Sequence, residues 1–424
     1  MQGQDTQKWT LEECIQYAWE NNVVLQENDN FARLAQIQLD QSKANQGPDL
    51  ALSARHNYSY DNRYSLESDS WNRESNQATS ITLGSSITLY NGAKLKNTIR
   101  QNSMNLGATE TSLQTRREMI SLEVLNAYIN VLLSNEQLKN DASQLETTRE
   151  ELNDAKERKR IGLISEADLL QVKSQLANEK ANVILGESNV QMAKVNLMQA
   201  MNRPISPYFS IAIPDISSLL ANPISENADE VYLAALNFYP EIKSAEYQVE
   251  SALTGIDIAK SSTQPELFLF ANMETNYNSL SNYSGFADQL THNWVPATGL
   301  TLSIPIYQKK SAQSKIKTAQ IEADNSYLYL TDTKNNLRKA IEQACVDAAS
   351  ASAAYNAMKE LYNAQRESFN VAEEMFRQGI ISTLDYLIQK NDLATAKNKL
   401  SQSIYDFLLK TKVVDYYKGE PVQL

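Results

Sequence analysis

Glycine and proline are scarce. The 424-residue chain holds 12 of the one and 10 of the other, about 5% of its length against roughly 12% in an average chain. Both residues punctuate, so a chain this poor in them is not a sandwich or barrel throughout. Nor is it an α/β protein with a glycine turn about every thirty residues. Long uninterrupted helices are the expectation. Cysteine is almost missing: Cys14 and Cys345 stand far apart, without metal or redox spacing, and read as isolated small apolar residues. Two histidines, His56 and His292, cannot build a His-based metal site, and no cofactor is expected. No run of 18 apolar residues occurs, so no transmembrane helix is coded. Basic excess is lacking too. The 39 basic and 51 acidic residues leave a net charge of −12, which argues against nucleic-acid binding. The chain opens MQGQDTQKWT, without an apolar leader. That implies a cytosolic protein or a processed form with its leader removed. No nucleophile–base set, phosphate loop or metal cluster is present. Glu12, Glu13 and Asp168 lie beside Lys and Arg on helical faces and read as solvated, so no enzyme is expected.

What is present is a repeat. RIGLISEADLLQVKSQLANEK near residue 160 aligns with RQGIISTLDYLIQKNDLATAK near residue 377, placing Gly162 on Gly379 at an offset of 217. Arg160/Arg377, Ile164/Ile381, Ser165/Ser382, Asp168/Asp385 and Lys173/Lys390 then coincide. The same offset pairs Pro48 with Pro265, Leu89-Tyr90 with Ile306-Tyr307, and Ala18 with Ala235. The chain reads as a tandem duplication. Its copies are 1–201 and 228–424, joined by a surface-packed linker at 202–227 with Pro204, Pro207, Pro214 and Pro223. Each copy opens with a helical stretch (Leu11–Gln46; Asp229–Thr263), broken at Asn21-Asn22 or at Pro240. Pro48 or Pro265 then starts an extended segment, whose partner arrives some residues later. A very long helix follows, then a turn and a shorter returning helix.

The extended segments alternate with period 2. Ile81, Leu83, Ile87 and Leu89 fall opposite Thr82, Gly84, Ser86 and Thr88, and Leu300, Leu302, Ile304 and Ile306 opposite Gly299, Thr301 and Ser303. A soluble half-buried hairpin alternates in the same way. A small polar reverse face, however, is the lipid-out, water-in dyad of a membrane barrel. Tyr58, Tyr60, Tyr90, Tyr277, Trp294 and Tyr307 suit an interfacial girdle. DNRYSLESDSWNRESNQ and NSLSNYSGFADQLTHN read as long polar loops. Four strands cannot close a barrel, and an open edge in lipid is not viable. Other copies of the chain must complete it, a dimer giving eight strands or a trimer twelve.

From Gly92 to Gly162, and from Gln308 to Gly379, nothing breaks a helix. Apolar residues recur every seven: Val124, Val131, Leu138, Leu145 and Leu152, then Ile316, Ala323, Leu330, Leu337, Ala344, Ala351 and Met358. This is coiled-coil spacing. A plain rod-like scaffold without channel activity would share it, but would not need embedded strand pairs.

LEECIQYAWENN, SITLYNGAKLKNTI and RIGLISEADLLQVKSQLA, with their copies 217 residues on, resemble the TolC-like outer-membrane efflux proteins over essentially the whole chain. The resemblance implies a mainly α chain with a membrane β-barrel. In a homotrimer, each protomer would give four strands to a shared twelve-stranded barrel, and antiparallel coiled-coil helices to a periplasmic α-barrel tunnel. It implies the exit duct of a tripartite efflux or secretion system in the outer membrane of a Gram-negative bacterium. The implied partners are a periplasmic adaptor, an inner-membrane transporter of RND, ABC or MFS type, and outer-membrane lipid. The turns Ile161, Gly162, Leu163, Ile164, Ser165 and Gly379, Ile380, Ile381, Ser382 would be the tips that meet the adaptor. Asp385 would form an acidic ring at the periplasmic gate. The family's second acidic position is Ile388 here. Asp168 matches a residue held by an arginine in family members, but that position is Ile381 and a neighbouring tyrosine position is Phe376. An apolar constriction with one acidic ring is therefore expected in place of that polar lock.

Overall fold

The computed structural model describes residues 8–66, 69–215, 227–281 and 285–424. It opens with helices α1 (Leu11–Asn21) and α2 (Val23–Ala44). Asn22 between them has an extended backbone, and its side-chain oxygen accepts from the Val24 N–H at 2.9 Å. One asparagine thus stops the first helix and caps the second. In the second copy α5 (Ala228–Phe238) gives way to α6 (Pro240–Ser261). Proline heads α6 because a first-turn N–H has no helical partner to lose.

Strands β1 (Ala51–Ser65), β2 (Ser70–Tyr90), β3 (Glu266–Asn278) and β4 (Val295–Ser303) form one antiparallel sheet in the order β1-β2-β3-β4. The register sets Leu52, Leu83, Met273 and Pro296 side by side, and likewise Ile87, Leu269 and Leu300. The row behind holds Ala51, Gly84, Asn272 and Ala297. One face is largely apolar; the other is small or polar except for Phe268 and Phe270 of β3, which stand beside Thr88 and Thr301 and beside Ser86 and Gly299.

Four details differ from expectation. The segment DNRYSLESDSWNRESNQ is not a loop: β1 and β2 stay paired through it, from Ala51↔Gly84 out to Ser65↔Ser70. Cross-strand aromatics sustain the ladder there, with Tyr64 and Trp71 rings 5.5 Å apart. The second polar stretch contains a helix, α7 (Phe286–His292), packed on β3. Phe286 meets Tyr277 edge-on at 4.8 Å, and Thr275 donates its hydroxyl to Leu290 O. Ile304 and Ile306 lie beyond β4. The ladder ends at Glu266↔Ser303, where the next pair would set Ile304 against Pro265, which has no N–H to give. Leu89 sits at a register shift, so Tyr90 and not Leu89 stands opposite Leu267.

The long helices α3 (Lys94–Arg160) and α8 (Ser311–Arg377) contain 67 residues each, about 100 Å at 1.5 Å per residue. The shorter α4 (Glu166–Ala200) and α9 (Thr383–Lys418) return from them. The heptad residues Val124, Val131, Leu145 and Leu152 of α3, and Ala323, Leu337, Ala344 and Ala351 of α8, are buried. No described helix is long and apolar enough to cross a membrane.

Two compact units emerge, each drawing on both halves of the chain. One comprises 1–30, 110–243 and 331–424, the other 31–109 and 244–330. In the first, α1 buries Leu11, Cys14 and Ala18 against Val124, Leu125 and Tyr128 of α3 and Leu197 of α4. Burial pushes the Cys14 thiol up to about 12. The expected linker is partly core: Phe209 is 1% exposed. Arg203 stacks over Trp9 at 4.6 Å and Phe209 at 5.2 Å. Trp9 N–H donates to Ser210 O, and Ala212 N–H donates to Trp9 O. Residues 216–226, with Pro223, lie outside the described residues. In the second unit Gly107 admits the Tyr247 ring, which stands 3.0 Å from where a Cβ would be.

The Tyr128 hydroxyl donates to Ala212 O at 2.7 Å and reaches Trp9 O at 3.2 Å, fastening this segment to α3. Tyr128→Phe is expected to destabilise by about 1–2 kcal/mol, because it takes the hydroxyl donor from the half-buried Ala212 carbonyl. A lowered midpoint of thermal unfolding in detergent checks it.

Candidate functional site

The two helix–helix turns are built alike. At the end of α3, Gly162 N–H donates to Lys159 O and Leu163 N–H to Arg158 O; at the end of α8, Gly379 N–H donates to Phe376 O and Ile380 N–H to Met375 O. This paired pattern closes a helix through a left-handed residue, and Gly162 and Gly379 have φ of +79° and +72°. The return helices start on capping boxes. The Asp168 and Ser165 side chains each accept from the other's backbone N–H, at 3.0 and 3.1 Å, and Asp385 and Ser382 do the same at 3.3 and 3.1 Å. Between the caps, Leu163 (70% exposed) and Ile380 (64%) stand in solvent. Ile161 is exposed too, while Ile164 and Ile381 are half-buried.

The gate residues named from the sequence are only partly brought together. Asp385 is exposed, and one of its carboxylate oxygens serves the cap of α9. Ile388 is 46% exposed, one helical turn further on. Asp168 meets the second copy's turn through Thr383, whose hydroxyl hydrogen-bonds its carboxylate. The contact that the resemblance assigns to an arginine at position 381 is thus made two residues later, by a neutral side chain. The Ser165 hydroxyl and backbone, helped by Thr383, hold the Asp168 carboxyl below the usual carboxylate range. Phe376 stacks on Tyr386 at 4.5 Å and 15°, under the Arg158 guanidinium at 5.5 Å.

Sequence reasoning missed the strongest polar contact beside the turns. Lys390 is 3% exposed. Its ammonium donates to Glu151 Oε2 and Thr148 Oγ1 of α3, both at 2.6 Å, and the Tyr386 hydroxyl donates to Glu151 Oε1 at 2.7 Å. Burial, and then the Glu151 charge, push the Tyr386 phenol far up. A signal existed. Lys390 follows Tyr386 by four residues and Leu387 by three, so it occupies the apolar stripe of α9. The repeat alignment hid it, because the matching Lys173 is exposed. Phe369, Phe376, Tyr386 and Leu387 line a cavity of about 340 Å³ here, rimmed by Glu150, Asp154 and Arg377. Among the described residues, no group of three His, Cys, Asp or Glu side chains is placed to hold a metal ion.

The model of the outer membrane efflux protein family matches residues 14–203 and 231–409. Outer membrane protein TolC of Escherichia coli K12 is 21% identical over 367 residues, covering 85% of this chain and 72% of its own. Among solved structures, CusC superposes with a TM-score of 0.82 at 17% identity, covering 97% of this chain and 92% of its own. The outer membrane protein VceC of Vibrio cholerae does so with a TM-score of 0.77 at 16% identity, over 97% and 96%.

Ser165→Ala and Ser382→Ala are each expected to cost about 1 kcal/mol of helix stability. The Asp168 carboxyl is depressed in the folded state. Its contribution is therefore present above the ordinary carboxylate range and lost as pH falls through its lowered value. Acid titration of the melting temperature checks the sign, and Asp168→Asn should flatten that part of the curve. Lys390→Met leaves Glu151 without its counter-charge, with the Tyr386 hydroxyl still donating to it, and is expected to cost about 3 kcal/mol, whereas Lys390→Met with Glu151→Gln should cost less. A double-mutant cycle on the unfolding midpoint reads the difference.

Proposed function

The chain belongs to the outer membrane efflux protein family, and on that premise we propose that three copies form the exit duct of a tripartite export system. It is an outer-membrane efflux channel, not an enzyme. The observation that carries the finer reading is the open sheet. Its apolar face, with Ile81, Leu83, Ile87, Leu300 and Leu302, suits lipid, while Gly84, Asn272 and Thr82 suit a wet lumen. β1 and β4 are its edges, and lipid tolerates no unpaired edge. Three sheets of four strands close a twelve-stranded barrel. The polar-flanked long helices, contributed by both repeat copies (1–201 and 228–424), line a tunnel in the periplasm. Mass measurement of the detergent-solubilised particle should return three chains. A particle of two chains, or a chain that stays soluble without detergent, would overturn the reading.

The helix ends form the periplasmic entrance. Ile381 and Ile388 narrow it, Phe376 braces it from behind, and Asp385 adds one ring of carboxylates. By symmetry such a ring attracts cations. Asp385→Asn separates the ring from the cap, since an amide oxygen can still accept from Ser382. Single-channel recording of this variant should show weaker block by multivalent cations; unchanged block would refute the ring.

The exposed Leu163 and Ile380, each beside its glycine, fit a helical partner that meets the tips end-on: the periplasmic adaptor that links the duct to an inner-membrane transporter of RND, ABC or MFS type. Cysteine at either position should crosslink to the adaptor in cells. A cysteine on the outer face of α4, such as Leu185→Cys, crosslinking equally well would count against tip-to-tip contact.

A further inference from the structure

Further along the helices, α3, α4 and α9 enclose another cavity of about 310 Å³. Its walls are polar: Asn140 and Gln144 from α3, Gln175 and Glu179 from α4, Asn391 and Asn398 from α9. Amide pairs tie the helices together. Gln175 donates to Asn391 at 2.7 Å, and Asn140 to Asn398 at 3.1 Å. The hydrogen bonding is nevertheless incomplete. Glu179 is 3% exposed. Its Oε1 accepts from Gln175 at 2.9 Å, but its Oε2 is buried without a partner, as are Asn140 Oδ1 and Gln144 Nε2. A carboxylate oxygen buried without a partner is costly, and a cation or a bound water can satisfy it. Asp141 adds a second acid to the wall, and Lys397 is its one cation.

The ligand atoms on offer are carboxylate and amide oxygens, with no imidazole or thiolate, which selects a hard cation. Direct protein ligands are few and the cavity has room for several waters. Mg²⁺ keeps most of its waters and binds through one or two carboxylates, whereas Ca²⁺ seeks six to eight oxygens. We propose that the cavity between α3, α4 and α9 holds one hydrated Mg²⁺ per chain, with Glu179 Oε2 as its carboxylate ligand and Asn140 Oδ1 accepting from a metal-bound water. Outer waters accept from Gln144. The ion joins α4 to α3 at a level where the protein alone leaves polar atoms unmatched.

The test uses the full chain, purified in detergent and stripped with a chelator. Mn²⁺ is titrated as a paramagnetic stand-in and followed by electron paramagnetic resonance. One saturable site per chain is expected, displaced by MgCl₂ but not by NaCl of equal ionic strength. Glu179→Gln, which removes the direct carboxylate ligand, should abolish the saturable site. Glu187→Gln, an exposed acid about two turns along α4, should leave it unchanged. Absence of a saturable site in the wild type overturns the proposal. So does Glu179→Gln with wild-type affinity, which would place the bound ion away from this cavity. If that variant fails to fold, Asn140→Leu takes its place, and unaltered Mn²⁺ affinity there is equally fatal.

Discussion

The N–H and C=O groups along the outer sides of β1 and β4 face no further strand of the chain among the described residues, and hydrocarbon offers them nothing in exchange. Much of the architecture can be understood as a response to that one deficit. On the reading proposed above, it makes the single chain an incomplete object in a membrane and turns oligomerisation into a condition of stability. The proposed closure would also account for the alternation along the strands, since a sheet closed on itself must show apolar side chains to lipid and polar ones to the lumen. The prolines fit the same logic. Pro48 and Pro265 stand just before β1 and β3, where the ladder has not yet begun to need their N–H groups.

The chain holds two helical turns of one build, and they share a backbone more than a chemistry. Both use a left-handed glycine, a serine cap and an aspartate at the third helical position. The side chains beneath have diverged. α9 is bolted to α3 by Lys390 and Glu151, with Tyr386 and Phe376 stacked beside them. In α4 the residue matching Lys390 is Lys173, which faces water, and small and aliphatic residues (Leu152, Ala155, Leu169, Val172) fill the contact instead. An exposed ion pair would add little. A nearly buried one ties the position of α9 to a specific partner, at the cost of desolvating two charges.

Most of the fold was legible in the sequence, because period 2 and period 7 leave strong patterns and because glycine and proline fall where elements turn. Asn22, Pro240, Gly162 and Gly379 mark real boundaries. The misreadings share a cause. Segments rich in Asn, Ser and Arg were read as loops, although polarity alone does not forbid a strand. Beyond Tyr58 and Gln77 β1 and β2 stay paired, and the Tyr64–Trp71 pair lies across them near the end of the ladder. The helix α7 was too short to show a period. At the turns, the spacing Ser382-x-x-Asp385 is visible in the sequence, but the resemblance assigns the aspartate to a gate alone. The structure puts that carboxylate in the cap as well. Lys390 went unnoticed because a lysine on a helix is usually read as solvated.

The equal length of α3 and α8 has a further consequence. Each begins just after a strand or its short exit and ends in the same glycine turn, and each contains 67 residues. A seam that repeats every seven residues tolerates insertions only in steps that restore its phase. A step taken in one helix alone would shift its turn by about 10 Å per heptad relative to the other copy's. Change in the length of this protein should therefore come in matched pairs, one block in each repeat. The two helices act as a double ruler that neither half of the gene can redraw by itself.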